Sequence, residues 1–365
     1  MARPPNDDRV EYEPFPEKDS PLFLRRGNAA RGGKAVLLLH GASASCDTFL
    51  QPRGASLFDY LTLQAGLDVW LLDWRGSFYV TANDPDAADK SADFVAEHDI
   101  PTAIKHVRDV RRREGHDQKI AVLGHCVGAA TLSMSIGAGF VEPADVDNVV
   151  LSSIGLFYEV TWDGWTKIQD RTLERVADAD ASFKAISPAV TPWPPAMETT
   201  YALWPTTWGP PWEVAFFRRL AFLFGQPFLV SNLHAAMDQD AVRKQFGALP
   251  FTLYRHAAQN ALRGFAAPFD AEGTLKDEIQ NDGINAFLSE KYMNRERFRP
   301  FGLTLLTGAE NPLWHRDSID RMGEWLARLG RPIRKHVLDG YGHQDLWWGK
   351  RSWHDVFPLV KAAVL

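Results

Sequence analysis

The chain predicts an α/β protein with a mostly parallel central sheet, flanked by helices and carrying a large inserted cap. Three observations point there. Continuous apolar runs of strand length, such as Ala35-Val-Leu-Leu-Leu-His40 and Leu67-Asp-Val-Trp-Leu-Leu-Asp73, alternate with segments of helical periodicity. Strands buried on both faces of a parallel sheet read as unbroken apolar runs, and crossover helices separate them. A third run, Ile120 to Leu123, ends in Gly124-His-Cys-Val-Gly128, the form of a strand bending sharply into a helix. The alternation then stops near Gly155 and resumes near Phe301, which marks the insertion.

Taken in order, residues 1–34 form an N-terminal segment rich in Pro and charge, with short extended candidates at Val10 to Tyr12 and Leu22 to Arg26 that allow an edge hairpin. The core is expected over residues 35–155 and 300–365. Its first strand closes at His40-Gly41, a helix follows at about 54–65, and the second strand ends in Asp73-Trp-Arg-Gly76. Ile100, Ala103, Ile104, Val107 and Val110 fall on one face of a helix over 100–113. The bend at Cys126 opens a helix from about Val127 to Phe140, followed by a strand over 148–153. Residues 156–299 read as a mainly helical, Trp-rich cap. The core pattern returns with a strand at Gly302 to Thr307, a helix at 316–329, a strand at Ile333 to Leu338 and a closing helix from about His354.

Composition narrows the function. Forty basic and forty-six acidic residues leave a mildly acidic chain without a basic block, which argues against a nucleic-acid partner. No run of eighteen apolar residues and no apolar N-terminal signal core is present, so neither stable membrane insertion nor export is expected, and a cytoplasmic location fits. Two cysteines, Cys46 and Cys126, are too few for a disulfide framework. Their pairing as a redox sensor is a further idea, with a chance pair of buried thiols as its plain alternative.

The chemistry centres on Cys126. A side chain presented on a strained strand-to-helix bend needs small residues two positions away on each side, and Gly124 and Gly128 supply them. The start of a helix favours a thiolate through its dipole and free N–H groups. A thiol nucleophile needs a base from another loop at the carboxyl end of the sheet. His343, in Gly340-Tyr-Gly-His-Gln-Asp345 after the last strand, fits that place. The oxyanion of a tetrahedral intermediate calls for backbone donors, assigned to Val127 and to Ala42 in the loop after the first core strand. The third member belongs in Thr307-Gly-Ala-Glu-Asn-Pro-Leu313. Neighbouring side chains in an extended loop point oppositely, so either Asn311 or Glu310 faces His343; Asn311 is preferred, because an amide can orient a ring beside a thiolate-imidazolium pair. Asp317 and Asp345 are weaker candidates. His125 reads as a packing residue, His40 as a support for its loop, and Asp73 and Asp99 as structural.

These residues, in the order His40-Gly41, Arg75-Gly76, Glu97-His-Asp-Ile-Pro101, Gly124-His-Cys-Val-Gly128, Gly308-Ala-Glu-Asn311 and Tyr341-Gly-His-Gln-Asp345, resemble the α/β-hydrolase superfamily. The resemblance is strongest to the acid lipase branch and to the hydrolase-like domains of cholesterol-oxidase-like proteins. It covers 35–155 and 300–365 and implies an α/β-hydrolase fold with acyl-transfer chemistry. The lipase pattern has Ser at the elbow and usually Asp at the position of Asn311; both differ here. The cysteine elbow is similar to that of polyhydroxyalkanoate synthases, which hold an acyl chain as a thioester.

The expected reaction is attack of Cys126 on an ester, thioester or lactone carrying an apolar acyl group, a small-molecule substrate handled without a cofactor. Hydrolysis, transfer to another acceptor by the same cysteine, and binding of a ligand without catalysis remain the readings. Trp162, Trp165, Trp208, Trp212 and Trp314 are the expected lining of the acyl pocket, with ordinary cap core as their alternative role.

Overall fold

The computed structural model describes residues 3–15, 20–84, 86, 89–179, 184–189, 193–203, 212, 214–271 and 290–365. Ten strands occur among them: β1 (Val10–Glu13), β2 (Phe23–Gly27), β3 (Ala35–Leu39), β4 (Asp68–Asp73), β5 (Ile120–His125), β6 (Val146–Ser152), β7 (Ala185–Ile186), β8 (Leu249–Pro250), β9 (Gly302–Gly308) and β10 (Arg334–Leu338). Eight form one sheet in the order β1-β2-β4-β3-β5-β6-β9-β10. From β4 to β10 every neighbouring pair is parallel, while β1 and β2 run antiparallel.

The apolar runs are continuous because each strand feeds two cores. Leu37, Leu39, Trp70, Leu72 and Val122 join one buried cluster, and Val36, Leu38, Val69, Leu71, Ala121 and Leu123 join the other. Successive side chains of a strand point to opposite faces, so a sheet covered on both sides needs apolar residues at every position. The helix Ile100–Arg113 lies where its periodicity places it, with Ile100, Ala103, Ile104, Val107 and Val110 buried.

The N-terminal residues do more than make a hairpin. β2 pairs with β4 in register from Phe23↔Asp73 to Arg26↔Trp70 and so extends the main sheet. Two buried arginines stitch it down: Arg25 to Asp73 at 3.2 Å and Asp47 at 2.9 Å, Arg26 to Asp68 at 2.8 Å. The helix expected at 54–65 is a short turn, Leu57–Asp59, continued by a wider turn over Tyr60–Gln64.

Between β6 and β9 the chain carries the helices Trp162–Gln169, Thr172–Ala179, Pro195–Leu203, Val214–Phe224, Gln239–Arg243 and Phe251–Arg263 with the antiparallel pair β7 and β8. Isolated bridges join Phe157 to Phe265 within this region and Val160 to Trp314 on the loop after β9. Among the described residues no helix is long and apolar enough to cross a membrane.

Candidate active site

The loops after β3, β5, β9 and β10 gather at the carboxyl edge of the parallel strands, where open α/β sheets form their clefts. Cys126 sits directly after β5 with φ 56° and ψ −133°, a backbone conformation that costs a non-glycine residue about 1–3 kcal/mol. Hydrogen bonds hold it there: its N–H donates to Ser152 O at 3.0 Å, and its carbonyl accepts from Ala129 and Ala130 at 2.9 and 3.1 Å. The flanking glycines are steric requirements. A Cβ on Gly124 would lie 2.6 Å from Ala129 Cα, and one on Gly128 would lie 2.3 Å from the His40 carbonyl oxygen.

The sulfur is surrounded by N–H donors. Trp314 Nε1 donates to Cys126 Sγ at 3.4 Å, and the backbone N–H groups of Val127 and Ala42 lie near enough to lower its thiol. Burial pushes the thiol up from its ordinary range, and these three donors pull it back down. Ala42 is placed by its neighbours. Ser43, with φ 61°, donates its N–H to Gly76 O at 3.1 Å and its hydroxyl to Gly247 O at 2.7 Å, so the loop is pinned to the inserted region. His40 donates from Nδ1 to Gly41 O at 2.6 Å and stacks on Trp74, a loop support.

His343 is 1% exposed and borders the same cavity as Cys126. Its Nδ1 lies 3.2 Å from Asn311 Nδ2, while Nε2 is buried without a hydrogen-bond partner among the described residues. Burial holds the ring down at about 3, so it is neutral near neutral pH. Asn311 is the residue of its pair that faces the ring; Glu310 is exposed and anchors the loop only through its N–H to Tyr341 O at 3.0 Å. Asn311 Oδ1 accepts from the N–H groups of Leu313 and Trp314 at 3.1 and 3.2 Å. A Cβ on Gly308 would sit 2.1 Å from Gly342 O, so the absence of a side chain there lets the two loops touch.

Two residues singled out in the sequence, Asp345 as a candidate for the third member and His125 as a packing residue, act as supports. Asp345 is buried and accepts from Gly342 N at 2.9 Å, Asn232 Nδ2 at 2.9 Å and Leu229 N at 3.2 Å, clamping the loop that carries His343. His125 packs its ring 4.5 Å from that of His343, with Nδ1 3.1 Å from Ser152 Oγ. It turns away from the sulfur, as its place in the elbow suggests, yet it backs the other histidine. Asp317 is exposed at the start of a helix and touches His315 instead.

A cavity of about 120 Å³ opens over Cys126, with walls that include Ile168, Leu223, Phe224, Leu253, Tyr254 and Leu313. Of the expected lining tryptophans, Trp314 is the one among the described residues that borders it. Trp162 is 78% exposed, Trp165 is half-buried away from the cavity wall, and Trp212 packs on Phe217 and Phe228. Trp208 lies outside the described residues. The wall is apolar because separate segments between β6 and β9, around residues 160–168, 223–227, 246–249 and 253–258, converge on it, a convergence that composition does not reveal. Among the described residues no group of three or more His, Cys, Asp and Glu is arranged to hold a metal ion.

The family described as alpha/beta hydrolase fold matches residues 34–187. No curated protein matches the sequence. Among solved structures, the chain is similar to a monoacylglycerol lipase of Paleococcus ferrophilus at 13% identity and a TM-score of 0.50, over 94% of this chain and 99% of that one. It is also similar to a thermophilic esterase of Thermogutta terrifontis at 12% identity and a TM-score of 0.44, over 94% of each. Strand order, the bend at Cys126 and the loops that meet above it agree with the family match: the chain has an α/β-hydrolase fold.

Proposed function

We propose that the protein is an acyl-transfer enzyme of the esterase and thioesterase type, working through Cys126 on an ester, thioester or lactone with an apolar acyl group. One observation carries the reading: a cysteine held at φ 56° between β5 and a helix, with the N–H groups of Val127 and Ala42 at its sulfur. As the thiol gives up its proton to solvent, the sulfur attacks the carbonyl carbon, the developing oxyanion takes up the two amide donors, and collapse breaks the bond to the alcohol or thiol, which leaves with a proton from solvent while the acyl group stays on Cys126 as a thioester. The apolar walls of the cavity receive the acyl chain. Residues 156–299 serve as the cap that supplies most of those walls.

The test is intact-protein mass spectrometry after incubation with p-nitrophenyl octanoate, with peptide mapping of the adduct. An octanoyl group on Cys126, absent in Cys126→Ala, is expected. Full turnover by Cys126→Ala would sink the proposal.

A further inference from the structure

We propose that Asn311 fixes the His343 ring as a hydrogen-bond donor at Nε2, so that Cys126 exchanges acyl groups with thioesters and only slowly yields them to water. The inference rests on Cys126 being the acyl-accepting nucleophile. It begins with the amide of Asn311. Two backbone N–H groups, those of Leu313 and Trp314, point at one of its two terminal atoms, and only the oxygen can accept from them. The –NH₂ group is thereby turned to His343 Nδ1 at 3.2 Å. It has no lone pair for an Nδ1–H, so Nδ1 keeps its own lone pair and accepts. The proton of the neutral ring is then on Nε2, the tautomer set by the partner of the other nitrogen.

The surroundings keep the ring in that state. Among the described residues, the groups against it are the neutral ring of His125, Asn311, and Cys126 across the cavity, with no carboxylate in contact. Burial disfavours the imidazolium, and an added Nδ1–H would meet the Asn311 N–H groups head-on. A Ser-His-Asp triad is the opposite case. There a carboxylate holds the proton on Nδ1 and leaves Nε2 free as base, and replacing that carboxylate by an amide lowers kcat by roughly 10⁴ because the tautomer is wrong. Cys-His-Asn proteases tolerate an amide that turns its oxygen to the ring. Here the oxygen is already taken by the chain after it.

The consequence is a choice of substrate class. The thiol proton of Cys126 is lost to solvent, and the thiolate attacks RCO–SR′. A C–S bond forms to Cys126, the carbonyl pair moves to oxygen, and collapse breaks the other C–S bond. R′S⁻ leaves and takes its proton from solvent, which a thiol with an ordinary pKa of about 8.5 does readily. An alkoxide needs a proton as it leaves, and Nε2–H could give one only by leaving an imidazolate. Water attacking the acyl-cysteine must lose a proton as its bond forms, and Nε2 has no lone pair to receive it. A second thiolate needs neither service and carries the acyl group away. The net reaction is thiol-to-thiol acyl exchange.

The experiment has two readouts. Protein labelled with ¹⁵N-histidine, examined by long-range ¹H–¹⁵N correlation between pH 6 and 8, should show a neutral His343 ring protonated at Nε2; a ring protonated at Nδ1 overturns the proposal. The octanoyl thioester of N-acetylcysteamine should load Cys126, and added β-mercaptoethanol should unload it as a new thioester faster than water does. Asn311→Asp, which keeps an oxygen for Leu313 and Trp314 and offers another to Nδ1–H, should move the ring proton to Nδ1, raise thioester hydrolysis at least about 100-fold and abolish accumulation of the adduct. Hydrolysis by wild type at the rate of Asn311→Asp overturns the role of Asn311. Failure of any acyl donor to load Cys126 overturns the exchange together with the reading of Cys126, whereas an intact adduct beside an Nδ1–H ring overturns the tautomer alone.

Discussion

Replacing Trp314 by Phe removes one N–H donor from the Cys126 sulfur and leaves an aromatic ring in the cavity wall. The indole Nε1 stands 3.4 Å from Sγ and opposes the rise that burial imposes on the thiol, together with the amides of Val127 and Ala42. A hydrogen bond to a charged group contributes about 1.5–3 kcal/mol, and a contact to a large, diffuse sulfur belongs at the low end. At about 1.4 kcal/mol for each pKa unit, losing it should raise the Cys126 pKa by about 1 unit. The sign follows from the acceptor: the donor stabilises the thiolate, so its removal favours the thiol. Iodoacetamide alkylation followed by mass across pH 6 to 10 reads this directly. Cys46, fully buried and with its own thiol pushed well up by burial, is an internal control. The midpoint for Cys126 should move up by about 1 unit, with about a tenfold slower rate at a fixed pH below it. An unmoved or lowered midpoint with intact fold would refute the argument that the indole N–H acts on the sulfur.

Stability should fall on acidification, because His343 is held at about 3 in the fold against an ordinary 6.5, and burial lowers His125 and His40 as well. The unfolded chain binds the extra protons first, so the stability from keeping His343 neutral is complete above about 6.5 and is lost by up to about 1.4 kcal/mol per pH unit down to about 3. Urea unfolding of His343→Gln between pH 4 and 7 should show a slope shallower by that amount; parallel slopes would contradict it. Asp73→Ala should destabilise by about 3 kcal/mol, the low end for a broken buried pair because Arg25 keeps Asp47, and a loss under about 1 kcal/mol in urea titration would show the pair to be dispensable. Ala257→Phe fills part of the cavity, so the preferred acyl chain in a p-nitrophenyl ester series should shorten; an unchanged chain-length profile would place the acyl group elsewhere.

The parts legible in the sequence are those fixed by local sterics or by burial on two faces. β3, β4 and β5 announce themselves because every position is apolar, and the elbow does because a Cβ at Gly124 or Gly128 has nowhere to go. β2 was harder to place. Its two arginines, Arg25 and Arg26, are interior because of their partners Asp73 and Asp68 on β4, more than forty positions away, which no local pattern announces. Alternation in an extended loop told that one of Glu310 and Asn311 meets His343, while the answer depends on Tyr341 and on two amides further along. The lining of the cavity misled for a related reason. Tryptophans stand out in the sequence between β6 and β9, but lining is decided by which helix faces turn inward, and Trp314 reaches the sulfur from the loop after β9.

The same N–H groups have two uses in this site, and the order of use matters for rate. With no acyl group present, the amides of Ala42 and Val127 lie against the sulfur and favour its ionised form. On the reading proposed for Cys126, attack turns the charge from sulfur to the substrate oxygen, and those amides must follow it. Stabilisation spent equally on thiolate and oxyanion leaves the barrier between them unchanged; only what is stronger in the transition state accelerates the step. Burial enters with the helpful sign. By pushing the thiol up, it leaves the thiolate more basic and so a better nucleophile once formed. Trp314 is the exception among the donors: an indole N–H on the loop after β9 can stay with the sulfur while the amides turn to the oxygen. Its loss should therefore slow loading of Cys126 by acting on the fraction of thiolate, with little effect on the oxyanion, so the rate deficit of Trp314→Phe should shrink as pH passes the shifted midpoint.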